Sequence, residues 1–233
     1  METAVTDKIY IAATWLIPLA IAIVFHEVAH GRVAKFFGDP TASSMGRLSL
    51  NPIRHIDPFG TIILPLMLAV TGAPPFGWAK PVPVDPSRLR NPRWHMVLVA
   101  AAGPASNILL ALLAAIFVGL FLKVGSSFGT AATSLFILQN LINFMAVNTF
   151  LALFNMIPLP PFDGSKILAG FLPNRIRQSF QNLDRYALFI MLGFLVVIPL
   201  LFPQANVVGR LIGPPATFLL EQFDKISVFA STL

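Results

Sequence analysis

Two histidines and a glutamate lie at the end of the first long apolar stretch of the chain. The sequence there is His26-Glu27-Val28-Ala29-His30, and residues four positions apart share one face of a helix. Two imidazoles at that spacing can bind one zinc ion, and the intervening glutamate can act as general base on a zinc-bound water. Residues 9–25 carry no charged side chain, and a charge at hydrocarbon depth costs about 2.5 to 3.5 kcal/mol. The motif therefore predicts a metal site.

A third metal ligand must come from elsewhere, because catalytic zinc usually takes three protein ligands and keeps one position open for water. Residues 124–162 contain no histidine or acid, and they end in Pro160-Pro161-Phe162-Asp163-Gly164. The prolines break the helix, and irregular backbone at membrane depth is tolerated where it lines a cavity. We predict Asp163 as the third ligand. The alternative is an ordinary acid in an interfacial Asp-Gly turn.

Two asparagines are further candidates. Asn155 precedes Asp163 in Phe154-Asn155-Met156-Ile157-Pro158, and its amide could donate to a developing oxyanion or form an interhelical hydrogen bond. Asn107 follows small residues in Gly103-Pro104-Ala105-Ser106-Asn107, which allow neighbouring helices to approach closely. For Asn107 a tie to a neighbouring helix is favoured, and substrate binding is the alternative.

The composition predicts an integral membrane protein. Of 233 residues, 56% are hydrophobic and only 11% are charged, and the mean hydropathy is +0.76. A soluble domain carries about 25% charged residues, so this chain could not cover a water-facing surface. The absence of cysteine excludes disulfides and thiolate metal sites. With no repeat and no low-complexity linker, residues 1–233 are interpreted as one domain.

Apolar stretches long enough to cross a bilayer, roughly 20 residues each, place the membrane helices. The fold class expected is an all-α polytopic membrane protein with four to six transmembrane helices. The four secure spans are residues 9–37, 94–122, 131–157 and 186–203. Residues 60–73 form a re-entrant segment or a short span, and residues 206–225 form a C-terminal helix that either spans or lies in the interface.

Basic residues orient these spans, since lysine and arginine favour the cytoplasmic side. Three clusters account for most of the net charge of +6: Arg32, Lys35, Arg47 and Arg54; Lys80, Arg88, Arg90 and Arg93; Arg175, Arg177 and Arg185. All three fall on one side if residues 60–73 dip into the membrane and return. The expected location is therefore a cell membrane, in a prokaryote the cytoplasmic membrane, with the active site near the cytoplasmic side. The positive net charge is therefore interpreted as marking the cytoplasmic side of the protein and not as a nucleic-acid-binding surface, and no nucleic-acid partner is expected.

Four motifs in this order resemble those of the site-2 protease family of intramembrane zinc metalloproteases, peptidase family M50. The motifs are residues 26–30, 77–84, 103–107 and 155–164, and the resemblance runs from about residue 9 to residue 172. It is to the compact form of the family, without PDZ or CBS domains. The implied function is hydrolysis of peptide bonds within or near transmembrane segments of membrane proteins.

The resemblance also implies a role for each polar residue of the motifs. One zinc ion per chain is held by His26, His30 and Asp163, Glu27 activates the water, and Asn155 assists at the oxyanion. The implied partners are a transmembrane-helix substrate, unwound locally before cleavage, and the lipid bilayer.

Residues 41–51 resemble the membrane-associated β-hairpin of the family. An edge strand there could pair with the unwound substrate through main-chain hydrogen bonds. The candidate substrate-binding residues are accordingly Gly46, Arg47 and Leu48, together with Asn107.

A non-proteolytic membrane zinc-binding protein or a zinc transporter is the alternative function. A transporter should offer polar residues along a path through the membrane, and the outer halves of the predicted spans are almost purely apolar. A catalytically silent relative would usually have lost the glutamate, and Glu27 is present. Both observations favour the enzyme.

Overall fold

The structure is a computed structural model, which describes residues 2–64, 67, 77–125 and 129–233. Within these ranges the chain is helical and contains no strand. The α-helices are α1 (Glu2–Phe36), α2 (Thr41–Ser44), α3 (Pro92–Val124), α4 (Ala131–Asn155), α5 (Asp163–Phe171), α6 (Asn174–Gln181), α7 (Ala187–Leu192), α8 (Ile198–Leu201) and α9 (Val207–Thr232).

Four segments of the described chain are long and apolar enough to cross a membrane, in agreement with the lower end of the four to six transmembrane helices expected, while the expected span boundaries stay a prediction. They are Ile9–Phe36, Pro92–Val124, Ala131–Asn155 and Asn174–Leu201. The first three are continuous helices. The fourth is divided into α6, a 3₁₀-helical turn, α7, a π-helical stretch and α8, and its most apolar part is almost wholly exposed within the chain. The described part of this membrane protein is thus helical.

Buried amide side chains tie the three continuous helices together. Asn143 of α4 donates to the backbone carbonyl of Thr14 in α1 over 2.8 Å. Asn107 of α3 donates to Oδ1 of Asn148 in α4 over 2.7 Å and to the carbonyl of Ala22 in α1 over 3.3 Å. Such polar side chains hold helices together where lipid removes the hydrophobic driving force between them.

The C-terminal helix α9 packs lengthwise against α3. Phe223 belongs to the same buried cluster as Ala111 and Ala115 of α3. Further along, Gly119 of α3 faces Ser227 of α9 so closely that a Cβ on Gly119 would lie 2.2 Å from the Ser227 carbonyl oxygen. The predicted C-terminal helix at residues 206–225 is therefore a longer helix that packs along α3.

The predicted β-hairpin over residues 41–51 is wrong, because local hydrogen bonds bend this segment into a helical turn. The buried carboxylate of Asp39 accepts hydrogen bonds from the Thr41 amide and hydroxyl and so starts α2. Gly46, at φ +63°, and the hydrogen bond from the Arg47 amide to the Ala42 carbonyl then close the turn. Side chains such as aspartate compete with strand pairing in this way.

The predicted re-entrant segment, residues 60–73, lies largely outside the described residues. Its beginning belongs to the π-helical stretch Pro58–Ile63, which starts after the side chain of Asp57 accepts a hydrogen bond from the Gly60 amide.

The close contact at Gly119 gives a test of the α3–α9 packing. Gly119→Ala should lower the melting temperature, because overpacking costs about 1–3 kcal/mol and outweighs the gain of about 1 kcal/mol in helix propensity. The measurement is thermal unfolding of the detergent-purified protein. Gly193→Ala is the matched control, since a Cβ there would meet nothing within 4 Å. Equal shifts for the two variants would contradict the packing described.

Candidate active site

Three side chains from two distant parts of the chain converge on one point. Nε2 of His26 and Nε2 of His30 are 3.0 Å apart, and each lies 3.1 Å from Oδ2 of Asp163. All three residues are buried. The two histidines stand one turn apart near the end of α1, and Asp163 is the first residue of α5.

Both imidazoles are oriented by hydrogen bonds that they donate to α3, one to a side chain and one to the backbone. Nδ1 of His26 donates to Oδ1 of Asn107 over 2.6 Å, and Nδ1 of His30 donates to the carbonyl of Val99 over 2.7 Å. Both acceptors are oxygens, so the proton of each neutral ring is assigned to Nδ1. The lone pair of each Nε2 is then directed at the point where the three side chains meet.

This arrangement fits a metal ion. Oδ2 of Asp163 is buried and has no hydrogen-bond donor among the described residues. Three lone-pair atoms held about 3 Å apart repel one another, and a cation between them would remove that repulsion. Two neutral imidazole nitrogens and one carboxylate oxygen are a donor set typical of catalytic zinc, which leaves a fourth position for water or substrate.

Burial raises the pKa of the Asp163 carboxyl group, whereas the Lys166 ammonium, which lies 3.8 Å from Oδ1 of Asp163, lowers it. A bound metal ion would act in the same direction as Lys166, because a carboxylate must be deprotonated to bind a metal.

Two glycines allow the helices to approach this closely. A Cβ on Gly103 of α3 would lie 2.5 Å from Cε1 of His26 and from Nε2 of His30. A Cβ on Gly164 would lie 2.2 Å from the carbonyl oxygen of Met156, at the end of α4. Any side chain at either position would displace a metal-ligand candidate.

Glu27 is held by the backbone of an extended segment. Its Oε2 accepts a hydrogen bond from the Val82 amide over 2.7 Å. Pro81 and Pro83 on either side have no amide hydrogen, so Val82 supplies the one donor of that tripeptide. Asp39 anchors the same segment further on, where its Oδ2 accepts from the Asp85 amide over 2.7 Å.

The candidate catalytic residues line a single cavity of about 740 Å³. They are His26, Glu27, His30, Asn155 and Asp163. One amide hydrogen of Asn155 donates to the Leu151 carbonyl over 3.0 Å, which leaves the second for another acceptor. Glu27 and Asn155 are half-buried, so both can be reached from the cavity.

The four residues proposed for substrate binding are not among those that line this cavity. Asn107 is fully buried and joins α3 to α1 and α4. Arg47 donates to the backbone carbonyls of Arg54, Lys80 and Pro81. Leu48 lies against Gly31 of α1 and Gly46 forms the turn after α2, so the substrate-binding role of all four stays a prediction.

Two residues of the site were missed by the sequence analysis. Val82 acts through its backbone amide. The only sign of this in the sequence is that Pro81 and Pro83, on either side, have no amide hydrogen to donate. Asn148 lies two helical turns before Asn155, and that spacing places both asparagines on similar faces of α4. The spacing of seven residues between Asn148 and Asn155 was the feature of the sequence that could have identified Asn148.

The hydrogen bond from His26 to Asn107 yields a prediction about metal affinity. Asn107→Leu should weaken zinc binding by about 10- to 100-fold, the usual effect of losing a partner that orients a metal-binding histidine. Zinc affinity is measured by competition with a chelator in detergent. Asn140→Leu is the matched control, because Asn140 bonds within α4 to Phe136. The same loss of affinity in both variants would contradict a specific role for Asn107.

Comparisons with known proteins agree with this geometry. The family model "Peptidase family M50" matches residues 14–198. "Putative zinc metalloprotease YwhC" of Bacillus subtilis is 41% identical over 199 residues, which are 82% of this chain and 85% of that protein. "Putative zinc metalloprotease Rip2" of Mycolicibacterium smegmatis is 28% identical over 199 residues, 84% of this chain and 68% of that protein. No solved structure matches the chain significantly. The family match spans most of the sequence, and it includes both histidines and the aspartate that meet in the structure: the chain belongs to peptidase family M50.

Proposed function

We propose that this protein is a zinc endopeptidase that hydrolyses peptide bonds within or near transmembrane segments of membrane proteins. The observation that carries the proposal is the meeting of His26, His30 and Asp163 beside Glu27, in one cavity at the end of membrane-spanning helices. The names of the relatives in Bacillus subtilis and Mycolicibacterium smegmatis, both zinc metalloproteases, support zinc as the ion.

His26, His30 and Asp163 would hold one zinc ion per chain. When bound, zinc would supply Lewis acidity, which makes water easier to deprotonate at neutral pH and polarises a substrate carbonyl. The chain supplies the rest of the site. Burial keeps the three ligands from competing water, and α3 fixes the direction of both imidazoles.

Glu27 is the general base of the proposed reaction. Its Oε2 is engaged by the Val82 amide, so Oε1 is left to take the proton from the attacking water. The same carboxyl group then delivers a proton to the leaving amine, which completes the hydrolysis. Asn155 would use its second amide hydrogen to stabilise the oxyanion that develops on the substrate carbonyl.

The cavity suits an extended peptide and not an intact helix. One of its walls contains Pro81, Val82, Val84 and Pro86, a segment that has no regular secondary structure before Pro86. An α-helix with side chains is about 10–12 Å across, and it hides its backbone carbonyls in intrahelical hydrogen bonds. A transmembrane substrate would therefore have to unwind before its scissile carbonyl could approach Glu27.

Zinc content and cleavage together test the proposed function. We expect one zinc per chain in the wild type and in Glu27→Gln, and loss of zinc in His26→Ala and Asp163→Ala. Cleavage of a reconstituted transmembrane peptide should disappear in all three variants, since the glutamine cannot accept a proton. Full cleavage by Glu27→Gln would show that Glu27 is not the general base. If Asp163→Ala retained zinc, Asp163 of α5 would not be a metal ligand.

We further propose that the cavity faces the cytoplasm of a prokaryotic cell. Arg93 and Arg177 line the cavity, and the other basic clusters lie in the segments around it. At the opposite end of α3 and α4, Lys123 is the one charged residue in the sequence between Leu122 and Asn155. This asymmetry agrees with the preference of lysine and arginine for cytoplasmic loops.

Thiol labelling tests this orientation, and the chain has no cysteine that would interfere. A cysteine at Ser87, which is exposed beside the cavity segment, should react with a membrane-impermeant maleimide only after the cells are permeabilised. A cysteine at Thr130, at the start of α4, should react in intact cells. Labelling of the Ser87 variant in intact cells would show that the cavity faces the outside of the cell, which contradicts the proposed orientation.

A further inference from the structure

The peptide group between Pro81 and Val82 is held at both of its ends. Its N–H, on Val82, donates to Oε2 of Glu27 over 2.7 Å. Its carbonyl oxygen, on Pro81, accepts a hydrogen bond from Nη2 of Arg47 over 3.3 Å. A peptide group is planar and rigid, so a contact that fixes its oxygen also fixes the direction of its N–H. The side chains of Glu27 and Arg47 are thus connected through one peptide plane.

Arg47 holds more of this segment than that one carbonyl. Its Nη2 also donates to the carbonyl of Lys80, over 2.8 Å. The Lys80 amide in turn donates to the carbonyl of His55 over 2.8 Å. Pro81 has no amide hydrogen, so every polar backbone group from the Lys80 amide to the Val82 amide has a partner. Arg47 is the donor for both carbonyls in this stretch.

The guanidinium group of Arg47 is itself fixed by the loop that carries it. The Arg47 amide donates to the carbonyl of Ala42 over 2.8 Å, which places the residue directly after α2. Nη1 of the side chain donates to the carbonyl of Arg54, and the residue is half-buried. A planar guanidinium presents several N–H donors in fixed directions, whereas a lysine ammonium is a single point of charge. Arginine can therefore bridge these carbonyls at once.

Packing on α1 brings both segments to the helix face that carries Glu27. Gly31 lies four residues after Glu27, so the two share one face of the helix. A Cβ on Gly31 would lie 2.5 Å from Cδ2 of Leu48 and 2.8 Å from Cγ1 of Val82. Leu48 follows Arg47 in the chain. The bare backbone at Gly31 therefore seats the Arg47 loop and the Val82 segment side by side, one turn from Glu27.

We propose that Arg47 is a positioning residue for Glu27, which it orients through the peptide group between Pro81 and Val82. This inference rests on the proposed function, in which Glu27 is the general base. Arg47 does not line the cavity, so it acts on the base and not on the substrate. Hydrogen bonds in series polarise one another, and a donor on the Pro81 carbonyl makes the Val82 amide a stronger donor to Oε2. Oε1 is then held towards the attacking water.

The sequence allows this one peptide group to be observed by nuclear magnetic resonance. Proline directly precedes valine at two places in the chain, residues 81–82 and 83–84. Full-length protein is labelled with carbon-13 at the proline carbonyl and with nitrogen-15 in valine. A spectrum that correlates each amide with the preceding carbonyl then contains only the cross-peaks of Val82 and Val84. The first reports both ends of the peptide group in question, and the second is an internal reference.

Arg47→Met should move the Val82 cross-peak upfield in both the carbonyl and the amide-proton dimension, because each nucleus loses hydrogen bonding. The Val84 cross-peak should stay in place. Arg47→Lys, which retains a donor, should move the Val82 cross-peak part of the way, and it serves as the test if Arg47→Met does not fold. Arg54→Met is the matched control, since Nη1 of Arg54 donates to the Gly46 carbonyl over 3.1 Å within the same loop. A Val82 cross-peak that is unmoved in both Arg47 variants, or that moves equally in Arg54→Met, would overturn the proposal.

Kinetics separate a positioning role from substrate binding. In cleavage of a reconstituted transmembrane peptide, Arg47→Lys should lower kcat by up to about 100-fold and leave KM unchanged, because a misplaced base affects the transition state and not the bound substrate. A raised KM with unchanged kcat would show that Arg47 binds the substrate, and would contradict the positioning role. The resonance measurement needs no substrate. Absence of cleavage by the wild type would therefore contradict the proposed protease, while the Val82 cross-peak still decides whether Arg47 holds the peptide group.

Discussion

The hydrogen bonds that the two imidazoles of α1 donate to α3 are the interaction on which the rest of the site depends. A histidine on the surface of a helix can rotate, and its proton can sit on either nitrogen. Asn107 and the Val99 carbonyl remove both freedoms by accepting from Nδ1 of His26 and His30. The convergence with Asp163 follows, because each Nε2 can then face only one way. Gly103 makes this possible by letting α3 come within contact distance of both rings.

Glu27, the proposed base, and the three candidate metal ligands are positioned by different means. The ligands come from two helices and are fixed by side-chain packing and buried hydrogen bonds. Glu27 stands between the histidines in sequence, yet its carboxylate turns to a proline-flanked segment that lies outside the helical bundle. The proposed catalytic glutamate is thus held by a part of the chain that is separate from the part that carries the three candidate metal ligands.

The sequence predicted the chemistry better than it predicted the surrounding backbone. The spacing of His26 and His30 indicated a metal pair because helical periodicity is strict, and the acid-free stretch before Asp163 left few alternatives for a third ligand. The hairpin at residues 41–51 failed because Asp39 competes locally for the backbone. The contact made by the Val82 amide could not be predicted, because every residue except proline has a backbone N–H and no residue type marks the one that is used.

The chain of hydrogen bonds from Asn148 through Asn107 to His26 has a consequence for the making of this protein in a cell. It crosses from α4 to α3 to α1, helices that must enter the bilayer one after another during synthesis. Asp163 follows α4 and arrives last. A nascent chain whose helices are inserted but not yet assembled would have free imidazoles, no third ligand and no anchored glutamate. Hydrolytic capacity would therefore arise only with the assembled bundle, which protects neighbouring membrane proteins from a half-built enzyme.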